Sequence, residues 1–155
     1  MSTVPISLII LEDEVAHVKA ILFAFEDAAP PVEIRVARTL REYYEHVAKR
    51  APDIAILDLN LPDGNEQDVL TLLSESCPFP VLIMTGCGNE SVAVSAMKSG
   101  AVDYVVKSPE AFADMPRTVR RVLAEWNLSE YSRQAGDQER AYAILREMIR
   151  QEGRL

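Results

Sequence analysis

Apolar residues fall along this chain in two alternating textures. Ile54-Ala55-Ile56-Leu57 is an unbroken apolar run that stops at Asp58. A run without alternation predicts a strand buried on both faces of a parallel sheet. Ile6 to Leu11 and Val81 to Thr85 have the same texture and are rich in β-branched residues. Val32 to Val36 alternates instead, with Val32, Ile34 and Val36 set against Glu33 and Arg35, which predicts a half-exposed strand at a sheet edge. Val102 to Val106 supplies a fifth strand. Between the strands the period changes to that of a helix. Val15 to Asp27 places Val15, Val18, Ile21, Leu22 and Phe25 on one face. Thr39 caps a second helix that runs to about Arg50, with Glu42 as its capping-box partner. Asn65 to Ser76 carries Val69, Leu70, Leu72 and Leu73 at helical spacing. A fourth helix starts at Asn89 or Glu90 and is stopped by Gly100. A fifth lies near Ala111 to Glu125, with Met115, Val119, Val122, Leu123 and Trp126 on one face.

Five strands thus alternate with five helices over short connections, the signature of a doubly wound parallel sheet. Sheets of this kind bind ligands beyond the C-terminal ends of their strands. Those ends hold Glu12 and Asp13 after the first strand, Asp58 after the third, Thr85 after the fourth and Lys107 after the fifth. Leu59 to Gly64, with its Asn, Pro, Asp and Gly, reads as the loop leaving Asp58.

Composition narrows the function. The chain has 155 residues, 48% of them hydrophobic, enough for one globular domain with a full core and an appendage. A net charge of −8 argues against direct binding of a nucleic-acid backbone. Cys77 and Cys87 form neither a metal spacing nor a disulfide framework, as expected of thiols in a reducing compartment. No run is long and apolar enough for a membrane span, and Met1 to Pro5 opens no signal peptide, so a cytoplasmic protein without a membrane partner is expected.

The strand ends carry the chemistry. Three carboxylates crowded together repel one another unless a cation joins them. Oxygen ligands without His or Cys point to a hard divalent ion, Mg²⁺ before Ca²⁺. A lysine opposite supplies a point charge for a phosphoryl oxygen, the Thr85 hydroxyl can donate a hydrogen bond to another such oxygen, and an aspartate can form an aspartyl phosphate, so Asp58, Lys107 and Thr85 are the candidate catalytic residues. The residues therefore read as a site that accepts a phosphoryl group on Asp58.

Leu-Glu-Asp-Glu at 11–14, Asp-Leu-Asn-Leu-Pro-Asp-Gly at 58–64, Thr85-Gly86 and Asp103-Tyr104-Val105-Val106-Lys107 together resemble the receiver domain of two-component response regulators. The resemblance covers about residues 5–125. It implies a flavodoxin-like fold with strand order 2-1-3-4-5. It implies Asp58 as the acceptor of a phosphoryl group from a sensor histidine kinase or histidine phosphotransfer protein. Glu12, Asp13, Asp58 and the Asn60 backbone carbonyl become the Mg²⁺ ligands, Lys107 the phosphate-binding lysine, Thr85 the switch hydroxyl and Tyr104 the switch aromatic. Such a chain is a self-hydrolysing acceptor rather than a turnover enzyme. The alternative is a phosphorylation-independent interaction or dimerisation module on the same fold. An aspartyl-phosphate phosphatase is disfavoured because position 60 is Asn, where an acid is needed.

Two positions depart from the family pattern. Glu66 stands where glycine is usual, which predicts a reshaped turn into the third helix. Ser108 stands where a proline usually follows the lysine through a cis bond, and Pro109 comes one later, so that cis bond is impossible here. His17 and His46 read as ordinary surface or boundary histidines, and Cys87 as loop filler. Receivers commonly stop near residue 125, which sets expected domains of 1–126 for the receiver and 127–155 for a helical extension. In that extension Leu128, Tyr131, Ala135, Gln138, Tyr142, Leu145 and Ile149 step by three and four residues, a heptad seam. The expectation is a coiled-coil linker that pairs two chains and responds to a switch at the face of the fourth helix, fifth strand and fifth helix; a helix folded back on the receiver is the other option.

Overall fold

The structure is a computed structural model that describes residues 4–74 and 77–152. The expected helix end at Ser76, the residues before Val4 and the last three of the extension lie outside the described residues. The chain divides into two compact units, Met1–Leu123 and Ala124–Leu155.

The first unit is built on strands β1 (Ile6–Leu11), β2 (Val32–Ala37), β3 (Ile54–Asp58), β4 (Val81–Thr85) and β5 (Asp103–Val106). All neighbours pair in parallel, in the order β2-β1-β3-β4-β5. β3 and β4 are buried at every position, while β2, at an edge, is half-exposed, as the alternation of its residues requires. Helices α1 (Val15–Ala24), α2 (Leu40–Lys49), α3 (Glu66–Ser74), α4 (Glu90–Ser99) and α5 (Pro109–Ala113) follow the strands in turn, and α6 (Met115–Glu152) follows α5.

Strand side chains alternate between two cores. Ile9, Leu11, Ala55, Leu57, Val81 and Ile83 face one core, with residues of α2, α3 and α4. Leu8, Ile10, Ile54, Ile56, Leu82 and Met84 face the other, with residues of α1, α5 and α6. Val105 packs half-buried on the second core, and counting onward by two reaches Glu12 from Ile10, Asp58 from Ile56 and Lys107 from Val105.

The loop after β3 is tied down on both sides. Asp63 accepts from the backbone N–H groups of Leu40 (2.8 Å) and Arg41 (3.3 Å), so it serves the start of α2 from a distance. Asn65 and Asp68 cap α3 reciprocally, at 3.0 and 2.9 Å. α3 thus begins on Glu66 without the usual glycine. Thr39 accepts from Glu42 N–H at 3.1 Å as expected, but Glu42 reaches back to Arg38 N–H rather than to Thr39.

Three expectations need correction. α1 ends at Ala24, not Asp27, because the bond from Glu26 N–H to Phe23 O tightens its last turn. Its apolar face is narrower than expected: Ile21 and Phe25 are buried, but Val15 and Leu22 are exposed and Val15 lines the cleft beyond the strand ends. The single last helix expected near Ala111–Glu125 is two helices with a break at Asp114. Pro116 has no N–H to donate to Phe112 O, so the ladder restarts, with the proline tolerated in the first turn of α6.

The second unit is helical from Ala124 to Glu152. Leu128, Tyr131, Tyr142, Leu145 and Ile149, five members of the heptad seam, are exposed, as are Ile144 and Met148 beside them.

Candidate functional site

Glu12, Asp13, Asp58, Asn60 and Lys107 line one open cleft of about 590 Å³ at the C-terminal edge of the sheet. Glu12 is fully buried and Asp58 is 3% exposed, while Asp13 faces solvent. One oxygen from each of Glu12, Asp13 and Asp58 lies within 4.8 Å of the others. Lys107 Nζ sits between the two buried acids, 2.9 Å from Asp58 Oδ2 and 2.7 Å from Glu12 Oε2. The other Asp58 oxygen, Oδ1, accepts from Asn60 N–H at 3.1 Å. The carboxylate is therefore held by one donor on each oxygen.

Burial pushes the Asp58 carboxyl above its ordinary range. The hydrogen bonds from Lys107 and Asn60 pull it back, and the charge of Glu12 adds to the rise. For Lys107 burial favours the neutral amine, but the close approach of the Glu12 and then the Asp58 carboxylate outweighs it and holds the ammonium above its usual value.

The donor set fits a hard cation. It is oxygen-only on Glu12, Asp13 and Asp58, and Glu12 Oε2, fully buried, makes no well-directed hydrogen bond of its own. Lys107 Nζ lies 2.7 Å from it and His17 Nδ1 3.6 Å.

Thr85 stands at the end of β4, 1% exposed, its hydroxyl donating to Gly86 O at 3.3 Å. It shares parity with Ile83 and so faces the sheet side opposite to Asp58 and Lys107, and it does not line the cleft. Tyr104 packs half-buried against that same core, opposite Ile83 in register. Lys107 N–H donates to Thr85 O at 2.8 Å, which ties the ends of β4 and β5 together. Ser108 then caps α5, accepting from Ala111 N–H at 3.0 Å, with Pro109 as the first helical residue. The Ser-Pro departure is thus a helix start built from an N-cap and a proline. Cys87 is exposed on the loop after β4.

His17 is half-buried, as a boundary histidine should be, but the sequence reading did not place it beside the cleft: its Nδ1 lies 3.4 Å from Lys107 Nζ and 3.2 Å from Glu14 Oε2, and its ring packs on Phe112 with centroids 5.1 Å apart. The available signal was its place in the first turn of α1, directly after the acidic loop.

Residues 8–120 match the response regulator receiver domain family. This chain belongs to that family. The methanogenesis regulatory protein FilR1 of Methanothrix harundinacea is 31% identical over 123 residues, which are 77% of this chain and 28% of that protein. The regulatory protein LuxO of Vibrio cholerae is 40% identical over 81 residues, 52% of this chain and 18% of LuxO. The receiver therefore spans under a third of the length of either regulator. Among solved structures, the signal receiver domain of a LuxO repressor protein from Vibrio parahaemolyticus superposes with a TM-score of 0.70 at 24% identity, covering 83% of this chain and 98% of that one. NtrX from Brucella abortus gives 0.70 at 23% identity, over 83% of this chain and 29% of NtrX. The flavodoxin-like receiver fold is common to this chain and both solved structures.

Proposed function

We propose that this receiver accepts a phosphoryl group on Asp58 from the phosphohistidine of a sensor histidine kinase or histidine phosphotransfer protein. The observation that carries the reading is the Asp58 carboxylate at the end of the central strand, with Lys107 Nζ 2.9 Å away and two further acids beside it. An Asp58 oxygen attacks phosphorus, forming an O–P bond as the donor's P–N bond breaks. The bonding pair leaves on the imidazole, which takes a proton from water. Lys107, whose backbone N–H is tied to Thr85 O at the end of β4, meets the charge on the phosphoryl oxygens. Glu12, Asp13, Asp58 and the Asn60 backbone carbonyl are the residues that would hold Mg²⁺. Bound there, the ion would supply Lewis-acid neutralisation of the phosphoryl oxygens. Attack of water on phosphorus later returns the carboxylate and inorganic phosphate, so each chain is a stoichiometric acceptor.

Thr85 and Tyr104 are the proposed switch pair, since both lie on the sheet side packed by α4. Residues 1–126 are the proposed receiver and 127–155 its helical extension, with two chains pairing along the heptad seam. The test is labelling with acetyl phosphate and Mg²⁺, followed by intact mass. The wild-type chain is expected to gain one phosphoryl adduct and Asp58→Asn none. Asp13→Ala is expected to weaken Mg²⁺ binding, because it removes a direct or water-mediated ligand. A wild-type chain that gains no adduct leaves the phosphorylation-independent interaction module as the reading.

A further inference from the structure

We infer that His17 is a positioning residue for Lys107, holding its ammonium in the phosphoryl cleft through an acceptor nitrogen. The inference rests on the proposed phosphoacceptor role of Asp58. Three groups lie within reach of the three N–H bonds of Lys107: Asp58 Oδ2 at 2.9 Å, Glu12 Oε2 at 2.7 Å and His17 Nδ1 at 3.4 Å. The first two are also the buried acids whose oxygens would face a cation. When those oxygens turn to a cation, the imidazole is the remaining fixed partner of the ammonium among the described residues. His17 is suited to that task because it is itself held. It projects from the first turn of α1, and its ring packs at 42° on Phe112 of α5, so both helices flanking Lys107 fix its place. The role requires the neutral imidazole with its proton on Nε2, leaving Nδ1 free to accept. The competing arrangement places the proton on Nδ1, donating to Glu14 Oε2 at 3.2 Å; Glu14 is exposed and its side chain is free to turn away, while buried Glu12 Oε2 at 3.6 Å is beyond hydrogen-bond reach of Nδ1. An imidazole acceptor costs the site no added negative charge. A carboxylate in its place would compete with Asp58 and Glu12 for the same lysine.

The experiment uses the full chain and separates this role from simple packing. Three variants are compared with wild type: His17→Leu, which keeps an apolar contact with Phe112 but has no acceptor; His17→Asn, whose Oδ1 stands near the place of Nδ1; and His17→Gln, whose polar end lies farther out. Acetyl phosphate with Mg²⁺ is the probe, the phosphorylation rate is read by intact mass, and Mg²⁺ affinity is read separately by calorimetry. His17→Leu is expected to phosphorylate about tenfold more slowly with unchanged Mg²⁺ affinity, as expected for loss of one charged hydrogen bond. His17→Asn should recover most of that rate and His17→Gln little of it. In a Lys107→Met background His17→Leu should have no further effect, since the partner it serves is gone. Wild-type rates in His17→Leu, or an equal loss in Glu14→Gln, would overturn the inference. Failure of the wild-type chain itself to label at Asp58 would instead overturn the phosphoacceptor reading on which it stands.

Discussion

Asp58 shows how one residue can work against the fold that holds it. Its carboxyl is raised chiefly by burial, so the native state disfavours the charged form in the cation-free chain. The sign follows directly: a folded-state pKa above the unfolded one gives stability that is fullest below the unfolded value and is lost as pH rises through the folded value. Asp58→Asn should therefore raise the melting temperature at about pH 7 in the presence of a chelator, by a few degrees, on the order of 1 kcal/mol. The gain should vanish near pH 3, where the wild-type carboxyl is protonated in both states. A variant that melts lower than wild type at neutral pH would mean that the Lys107 and Asn60 bonds outweigh burial. Lys107 carries the complementary argument. Its ammonium rests 2.7 and 2.9 Å from two acids of the cluster, in the place a cation would contest. Lys107→Met should tighten Mg²⁺ binding several-fold while it slows phosphorylation, and calorimetry of the two proteins reads the first effect directly. At this scale much was legible in the sequence. Glu12, Asp58 and Lys107 share a strand parity, which sends all three to one sheet side. Thr85, expected to hydrogen-bond a phosphoryl oxygen, has the opposite parity and faces the other sheet side. His17 escaped because a helical position does not disclose which strand end it overlooks.

The elements were legible where local chemistry alone decides them. The five strands follow from apolar runs, and the caps at Thr39 and Ser108 from residue types that satisfy free N–H groups. What was not legible came from tertiary demands. α1 buries a narrower stripe than its period suggests, because Val15 lies at the cleft mouth beyond the strand ends. The break at Asp114 depends on Pro116, whose effect on a helix reaches four residues back. Gly100 is the sharpest element-scale test. It ends α4 at φ 129°, a conformation that side chains resist, and a Cβ there would stand 2.9 Å from Leu73 O on α3. Gly100→Ala should lower stability by about 1–3 kcal/mol, since strain and the clash with α3 both oppose it. Chemical denaturation measures the change, and a midpoint equal to wild type would show that the turn after α4 relaxes freely.

For the whole molecule the open question is what covers the apolar stripe of the second unit. Leu128, Tyr131, Tyr142, Leu145 and Ile149 stand 52–71% exposed on this helix. A lone helix of this length is marginal in water and gains most of its stability from packing an apolar face. A second copy supplies a matching stripe, and the seam's three- and four-residue steps suit the crossing of two helices. The seam is imperfect. Ala135 and Gln138 weaken its middle, while Met148, which precedes Ile149, flanks its C-terminal half, where pairing should be strongest. These features predict a dimer of modest strength, with a dissociation constant on the order of micromolar. Light scattering of the full chain across a concentration series should show monomers giving way to dimers. Leu145→Asp combined with Ile149→Asp places like charges in the strongest part of the seam. That variant should stay monomeric, while its receiver melts as wild type and still labels at Asp58. Dimers that persist in it would move the pairing surface off this helix, and a wild-type chain that stays monomeric at high concentration would leave the stripe to a partner other than itself.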